Sequence, residues 1–140
     1  MQFTRTKLLL LAGSTLALGF AAGIAVGQMK PPAESKGISA DQLRALDLTG
    51  EIDSVRGRPL RMRRITLLPG GVIGLHSHKD RPALIYTLSG SITEYSSTCG
   101  APIEHKAGDI SREADGLSHY WVNHGKVATV LLSSDVFHGK

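Results

Sequence analysis

The sequence predicts an all-β fold, a small sandwich or barrel of short strands, and three observations point to it. Sixteen glycines stand against seven aromatic residues, a balance that suits many tight turns better than long helices. Apolar stretches of about five residues recur with turn signals every eight to twelve, the rhythm of a β-sandwich or barrel. At 140 residues the chain has the length of one domain. Closing a sheet on itself is the economical way for so short a chain to bury a core and remove edges.

The first thirty residues read as an address placed ahead of the fold. Residues 1–7 are short and basic, and residues 8–26 (LLLLAGSTLALGFAAGIAV) form an uninterrupted, weakly apolar run. The run ends in Ala25-Val26-Gly27 before Gln28, small residues of the kind a signal peptidase reads. Its length of about 19 residues also suffices to span a bilayer. Gly13, Ser14, Thr15, Gly19 and Gly23 interrupt it, however, and no aromatic or basic anchor marks its far end. Cleavable export is the first reading, an uncleaved membrane anchor over residues 8–26 the second, and a buried helix the third. The first two place the body of the protein outside the cytoplasm, in a periplasmic or extracellular space. On this division residues 1–27 are signal peptide or anchor, residues 28–43 a linker and N-terminal arm, and residues 44–140 the folded domain.

Along the chain, residues 30–37 have linker composition, with Pro31, Pro32 and alternating charge. Ser39-Ala40-Asp41-Gln42 has the spacing of a capping box, whereas Ala45-Leu46-Asp47-Leu48 alternates like an edge strand; both readings stay open. Strands are expected at 60–68 and 72–78, divided by a strong turn at Pro69-Gly70-Gly71. Lys79-Asp80-Arg81-Pro82 ends the second, and further strands follow at 84–88, 91–96, 103–106, 119–123 and 127–133.

Composition excludes several classes. Hydrophobic residues at 41% and charged residues at 20% argue against wholesale disorder. The formal charge of +4 includes Arg5 and Lys7 of the leader, without which 14 basic residues face 12 acidic ones. So small a surplus does not suggest a nucleic-acid or membrane-surface partner, and any membrane contact runs through the N-terminal segment. A single cysteine, Cys99, rules out an intrachain disulfide framework and a cysteine-based zinc cluster. Any metal must be held by histidines and carboxylates.

Two patterns carry such chemistry. In the first, Gly70 is followed after five residues by His76-Ser77-His78, after four more by Ala83, and after six more by Gly90. Strand alternation puts His76 and His78 on one face, about 7 Å apart along the chain, so one ion can sit between them if a facing strand supplies a third ligand. In the second, Gly108 is followed after five residues by Ala114, then by Gly116, His119 and Asn123 at intervals of one, two and three residues. These coincident spacings, with 17 residues between Gly90 and Gly108, resemble the two motifs of the cupin superfamily over about residues 60–137.

The resemblance implies a jelly-roll β-barrel holding one divalent metal, with iron, manganese, zinc and nickel not distinguished. It implies His76, His78 and His119 as the ligands. Ala83 stands where the motif has its glutamate and Ala114 where it has a proline. A three-histidine site like that of the cupin-type thiol dioxygenases is the result. Three neutral imidazoles leave a divalent ion its full +2 charge, which favours an anionic ligand or a deprotonated water. Asp80, Glu94, Glu104 and Glu113 are candidates to replace the missing carboxylate. The competing expectation is a barrel without metal, in which the histidines merely fill space.

Several neighbouring residues have plainer expectations. His105, His124 and His138 lie in or beside turns and are expected to be solvated. Trp121 falls between His119 and Asn123 on one strand face, either lining the pocket or packing the core. Asn123 is expected to anchor a turn through backbone hydrogen bonds. Arg56, Arg58, Arg61, Arg63 and Arg64 are expected to form a solvated edge that discourages sheet-to-sheet pairing. An anion-steering role for one inward arginine is the alternative. Cys99 reads as an incidental thiol.

Two function classes follow. One is a metal-dependent enzyme of oxygenase, isomerase or lyase type, acting on a small polar or anionic molecule. The other is a non-catalytic module that binds a small ligand. The fold hosts both, no general base is identifiable by spacing, and self-association into a homodimer stays open.

Overall fold

The computed structural model describes residues 30–138. The expected signal peptide or anchor, residues 1–27, lies outside them. Within the described residues every regular element is a strand: β1 Lys36–Asp47, β2 Pro59–Ser77, β3 Ala83–Ser89, β4 Ser91–Ser96, β5 Ile103–Lys106, β6 Ile110–Glu113, β7 Ser118–Val122 and β8 Thr129–Val136. No helix among them is long and apolar enough to cross a membrane.

The strands form one antiparallel sheet in the order β5-β4-β7-β2-β8-β3-β6, with β1 added along β2. The two ends of this order, β5 and β6, are consecutive in the chain and joined by a tight turn. That turn is sewn to the β3–β4 hairpin through Ala107 N–H to the Gly90 carbonyl, Gly108 N–H to that of Thr87, and Thr87 N–H to that of Asp109. The sheet therefore curls into a nearly closed, jelly-roll-like barrel. Ile65, Leu67, Ile85, Ile92, Trp121 and Leu131 form its buried core. Each apolar side chain buried there contributes roughly 1.5–3 kcal/mol.

The expected turn at Pro69-Gly70-Gly71 does not divide two strands. Gly70 takes a positive φ of 73° and bends a single strand, β2, which changes partner there. Leu60 to Leu67 pairs with β8, and Val72 to Ser77 pairs with β7. Asn123 holds the bend. Its amide nitrogen lies 2.9–3.2 Å from the carbonyls of Leu67, Leu68 and Val127, and its oxygen accepts the Gly125 N–H. The turn-anchoring role expected of Asn123 is thus what forms.

The open choice at residues 39–48 resolves as a strand, because β1 finds an unpaired edge of β2 along Leu60–Leu67. β1 begins at Lys36, inside the stretch of linker composition, and runs on through position 43 without a break. Ahead of it, residues 32–35 lie across β2: Leu75 N–H donates to the Pro32 carbonyl and Gly74 N–H to Ser35 Oγ. Only a glycine permits so close a crossing, since a Cβ at position 74 would stand 2.7 Å from the Ala33 carbonyl oxygen. The short strand β6, absent from the sequence reading, pairs with β3 over Ala83–Tyr86.

With β1 on one side and β8 on the other, the first half of β2 is no edge. The basic stretch accordingly does not form the expected solvated fringe. Arg64 is exposed, but Arg61 and Arg63 turn inward and meet Asp135 of β8.

Asn123→Ala should leave the carbonyls at the bend without their shared donor. We expect a loss of about 3 kcal/mol in urea denaturation, with the unfolding still cooperative.

Candidate metal centre

The pairing of β2 with β7 sets the centre. Ile73 lies opposite Trp121 and His76 opposite His119, so two residues of β2 span the space of one on β7. This β-bulge at Gly74-Leu75 shifts the inward face by one residue. Ile73, His76 and His78 consequently all line one cavity with His119 and Trp121, although simple alternation from Ile73 would turn His76 outward.

The three imidazoles converge through one edge. His76 Nε2 lies 3.1 Å from His78 Nε2 and 3.1 Å from His119 Nε2. Each opposite ring nitrogen is engaged: His76 Nδ1 donates to the Gly74 carbonyl at 2.9 Å, His78 Nδ1 to the Arg81 carbonyl at 2.9 Å, and His119 Nδ1 to Glu94 Oε1 at 2.7 Å. Carbonyl oxygens only accept, so the protons of His76 and His78 are fixed on Nδ1 and the Nε2 lone pairs point at one another. Burial, reinforced by the charges of His119 and Arg81, pushes both of these histidines down to about 4. They are neutral at pH 7.

Facing lone pairs at this separation repel unless a cation lies between them. Two ligands about 2.1 Å from one ion and roughly at right angles would stand this far apart. The donor set therefore fits a divalent metal held by Nε2 of His76, His78 and His119, with hydrogen-bond acceptors behind each ligand to orient it.

The carboxylates lie elsewhere than a fourth ligand would. Glu94 and Glu113 are buried on the Nδ1 side of His119, at 2.7 and 3.1 Å. Asp80 and Glu104 are exposed and pair with Arg58 and Lys106. None of the four candidates joins the Nε2 cluster among the described residues. Burial raises Glu94, yet hydrogen bonds from His105 and His119 outweigh it and bring its carboxyl to about 2. Glu113, whose oxygens meet only the Ser111 hydroxyl and the His119 ring, is raised by burial.

Trp121 Nε1 also lies 2.8 Å from His119 Nδ1. One nitrogen cannot both donate to Glu94 and accept from Trp121. The ionised Glu94 can only accept, so it takes the proton, and Trp121 packs edge-on against the imidazole at 5.7 Å and 86°. Trp121 is thereby both core and pocket wall.

His105 departs from expectation. It is not solvated: Nε2 meets Glu94 Oε2 at 2.8 Å, and its ring stacks on Trp121 at 4.9 Å. It shares a strand face with Ile103 on β5, and that alternation was the available signal. His124 and His138 are exposed, the former meeting Tyr95 Oη at 3.1 Å. Cys99 is exposed and free. Arg81 and Asp135, which the sequence reading passed over, also belong to this region. Arg81 lines the cavity, and Asp135 is fully buried beside it.

Two outcomes are expected. His76→Ala and His119→Ala should each lower metal affinity by a comparable, large factor in competition with a chelator, while His124→Ala should leave it unchanged. In protein stripped by chelator, the unfolded state binds protons on His76 and His78 below about 6.5, and the folded state only below about 4. Thermal stability should therefore fall as pH drops through that window and be retained above it.

The Cupin domain family matches residues 63–135. Among curated proteins the chain is similar to Germin-like protein 8-14 of Oryza sativa subsp. japonica, 33% identical over an 88-residue alignment that covers 59% of this chain and 41% of the relative. It is also similar to Germin-like protein 1 of Brassica napus, 29% identical over 85 residues with the same two shares. The chain thus spans about two fifths of the length of these relatives. One similar solved structure is a predicted oxalate decarboxylase from Thermotoga maritima, with TM-score 0.57 and 22% identity over 78% of this chain and 95% of that one. Another is a Cupin 2 conserved barrel domain protein from Salinispora arenicola CNS-205, with TM-score 0.56 and 19% identity over 79% and 88%. At these identities the structural likeness speaks for the barrel. With a family match over more than half of its length, running across all three histidines, the chain belongs to the cupin family.

Proposed function

We propose that this cupin holds one divalent metal on His76, His78 and His119 and acts as a metal-dependent enzyme of oxygenase, isomerase or lyase type. The substrate on this reading is a small polar or anionic molecule. The observation that carries it is the convergence of three Nε2 atoms with every Nδ1 already committed to an acceptor. A bound ion would supply Lewis acidity and open positions for substrate. The chain's own residues do the rest. Gly74, Arg81 and Glu94 orient the ligands, and Glu94 strengthens His119 as a donor by accepting its Nδ1 proton. Ile73 and Trp121 keep water from the inner wall.

A second reading has its own support. No carboxylate lines the cavity among the described residues, since Glu94 and Glu113 lie behind His119. The wall thus offers no carboxylate to take a proton from a substrate, as suits a module that binds a ligand without transforming it. A cavity of about 400 Å³ suits a small molecule on either reading.

Elemental analysis of protein purified without chelator or His-tag tests the proposal. About one equivalent of metal per chain is expected. Iron favours oxygen chemistry, and zinc or manganese favours isomerase or lyase chemistry. A metal-free protein that takes up none of these ions on addition overturns the reading.

A further inference from the structure

Three guanidinium groups surround one carboxylate beside the cavity. Asp135, its side chain wholly buried, meets Arg61 in a two-bonded fork at 3.0 and 2.8 Å, Arg63 at 3.4 Å and Arg81 at 3.7 Å. Arginine does not give up its proton in proteins, so this group carries two positive charges beyond what Asp135 balances. The three arginines are not equivalent. Arg61 uses both oxygens of Asp135 and stacks over the Phe137 ring at 3.8 Å, away from the cavity. Arg63 and Arg81 each reach Asp135 through one long contact, and both line the cavity that the three histidines line.

Arg63 is the more exposed to this imbalance. Its Nε is buried without a hydrogen-bond partner, and its Nη2 reaches only Ser133 Oγ and Asp135, each at 3.4 Å. A buried donor left unmet costs about 1–3 kcal/mol, more on a charged group. Such a cost is kept where a ligand meets it. The planar fork of a guanidinium matches the planar fork of a carboxylate. Beyond the arginines, the three histidines and two serines, the wall is apolar, with Ile38, Ile65, Ile85 and Leu131 among its side chains.

We propose that Arg63 and Arg81 form an anion-recognition pole of this cavity, and that its ligand is a small monocarboxylate with an apolar body. The carboxylate meets the two guanidinium groups, and the body lies against the isoleucines. This deepens the reading above by naming the ligand class and shares its cavity, but it needs the arginines where that reading needs the histidines.

Calorimetric titration with three probes, hexanoate, acetate and hexan-1-ol, tests it on the full chain, both as purified and after chelator treatment. Hexanoate should bind in both states, and acetate and hexan-1-ol at least about tenfold more weakly, since one lacks the body and the other the charge. Arg81→Gln should weaken hexanoate at least about tenfold while Asp135 keeps Arg61 and Arg63. Arg63→Gln should do the same, with thermal melting as the check on its fold. Hexanoate binding retained after chelator treatment separates this pole from the metal centre. Absence of hexanoate binding in both states, equal binding of hexan-1-ol, or full affinity in Arg81→Gln would each overturn the proposal.

Discussion

Between Ile73 and His76 strand β2 carries one residue more than the strand it pairs with, and the site is built on that surplus. A strand presents alternate residues to its two faces, so three positions on from an inward Ile73 would face outward. The bulge at Gly74-Leu75 absorbs the odd residue and returns His76 and His78 to the interior opposite His119. The same two residues also carry the hydrogen bonds that hold residues 32–35 across β2, where Ala33 and Ser35 line the cavity, and the Gly74 carbonyl fixes the His76 proton. Register, ligand tautomer and the seating of the N-terminal arm thus depend on one local irregularity.

Around this point the barrel redistributes negative charge. Ala83, at the place where the family motif has a glutamate, lies in register with Glu113 on one neighbouring strand and Asp135 on the other. Both of these carboxyl groups are buried, yet each faces away from the Nε2 cluster: Glu113 toward the Nδ1 of His119, Asp135 toward the arginines. Glu94 adds a third buried carboxylate, again on the Nδ1 side. The acidity of the site is placed behind the ligands and not among them. A metal bound there would keep its full charge toward the cavity, where Arg63 and Arg81 add more. On the cavity wall these two guanidinium groups stand beside the neutral imidazoles of His76 and His78 and an apolar surface.

Much of this was legible in the sequence. The strands at 91–96 and 103–106 follow from alternation and from the turns at Ser89-Gly90 and Ala107-Gly108-Asp109. The three histidines follow from the spacing of two motifs, because spacing on paired strands translates directly into position. The bend at Gly70 was visible only as a break, since a glycine with positive φ signals equally a hairpin and a strand that changes partner. The arginines were misplaced for a related reason. Whether a charged strand is an edge depends on what pairs beside it, and β1 gave only an ambiguous signal of its own. Asp135 was within reach, being the one acid in Thr129–Val136, on the same face as Leu131 and Ser133. Its three partners come from two distant segments, and no local pattern announces them.

X-ray absorption at the edge of the bound metal tests the central claim most directly. Three imidazole nitrogens at about 2.0–2.2 Å, with the remaining scatterers being oxygens of water or small anions, are the expected result. The count should fall to two imidazoles in His119→Ala. A spectrum with fewer than three imidazoles in the unaltered protein, or one unchanged by that substitution, would contradict a centre built on His76, His78 and His119.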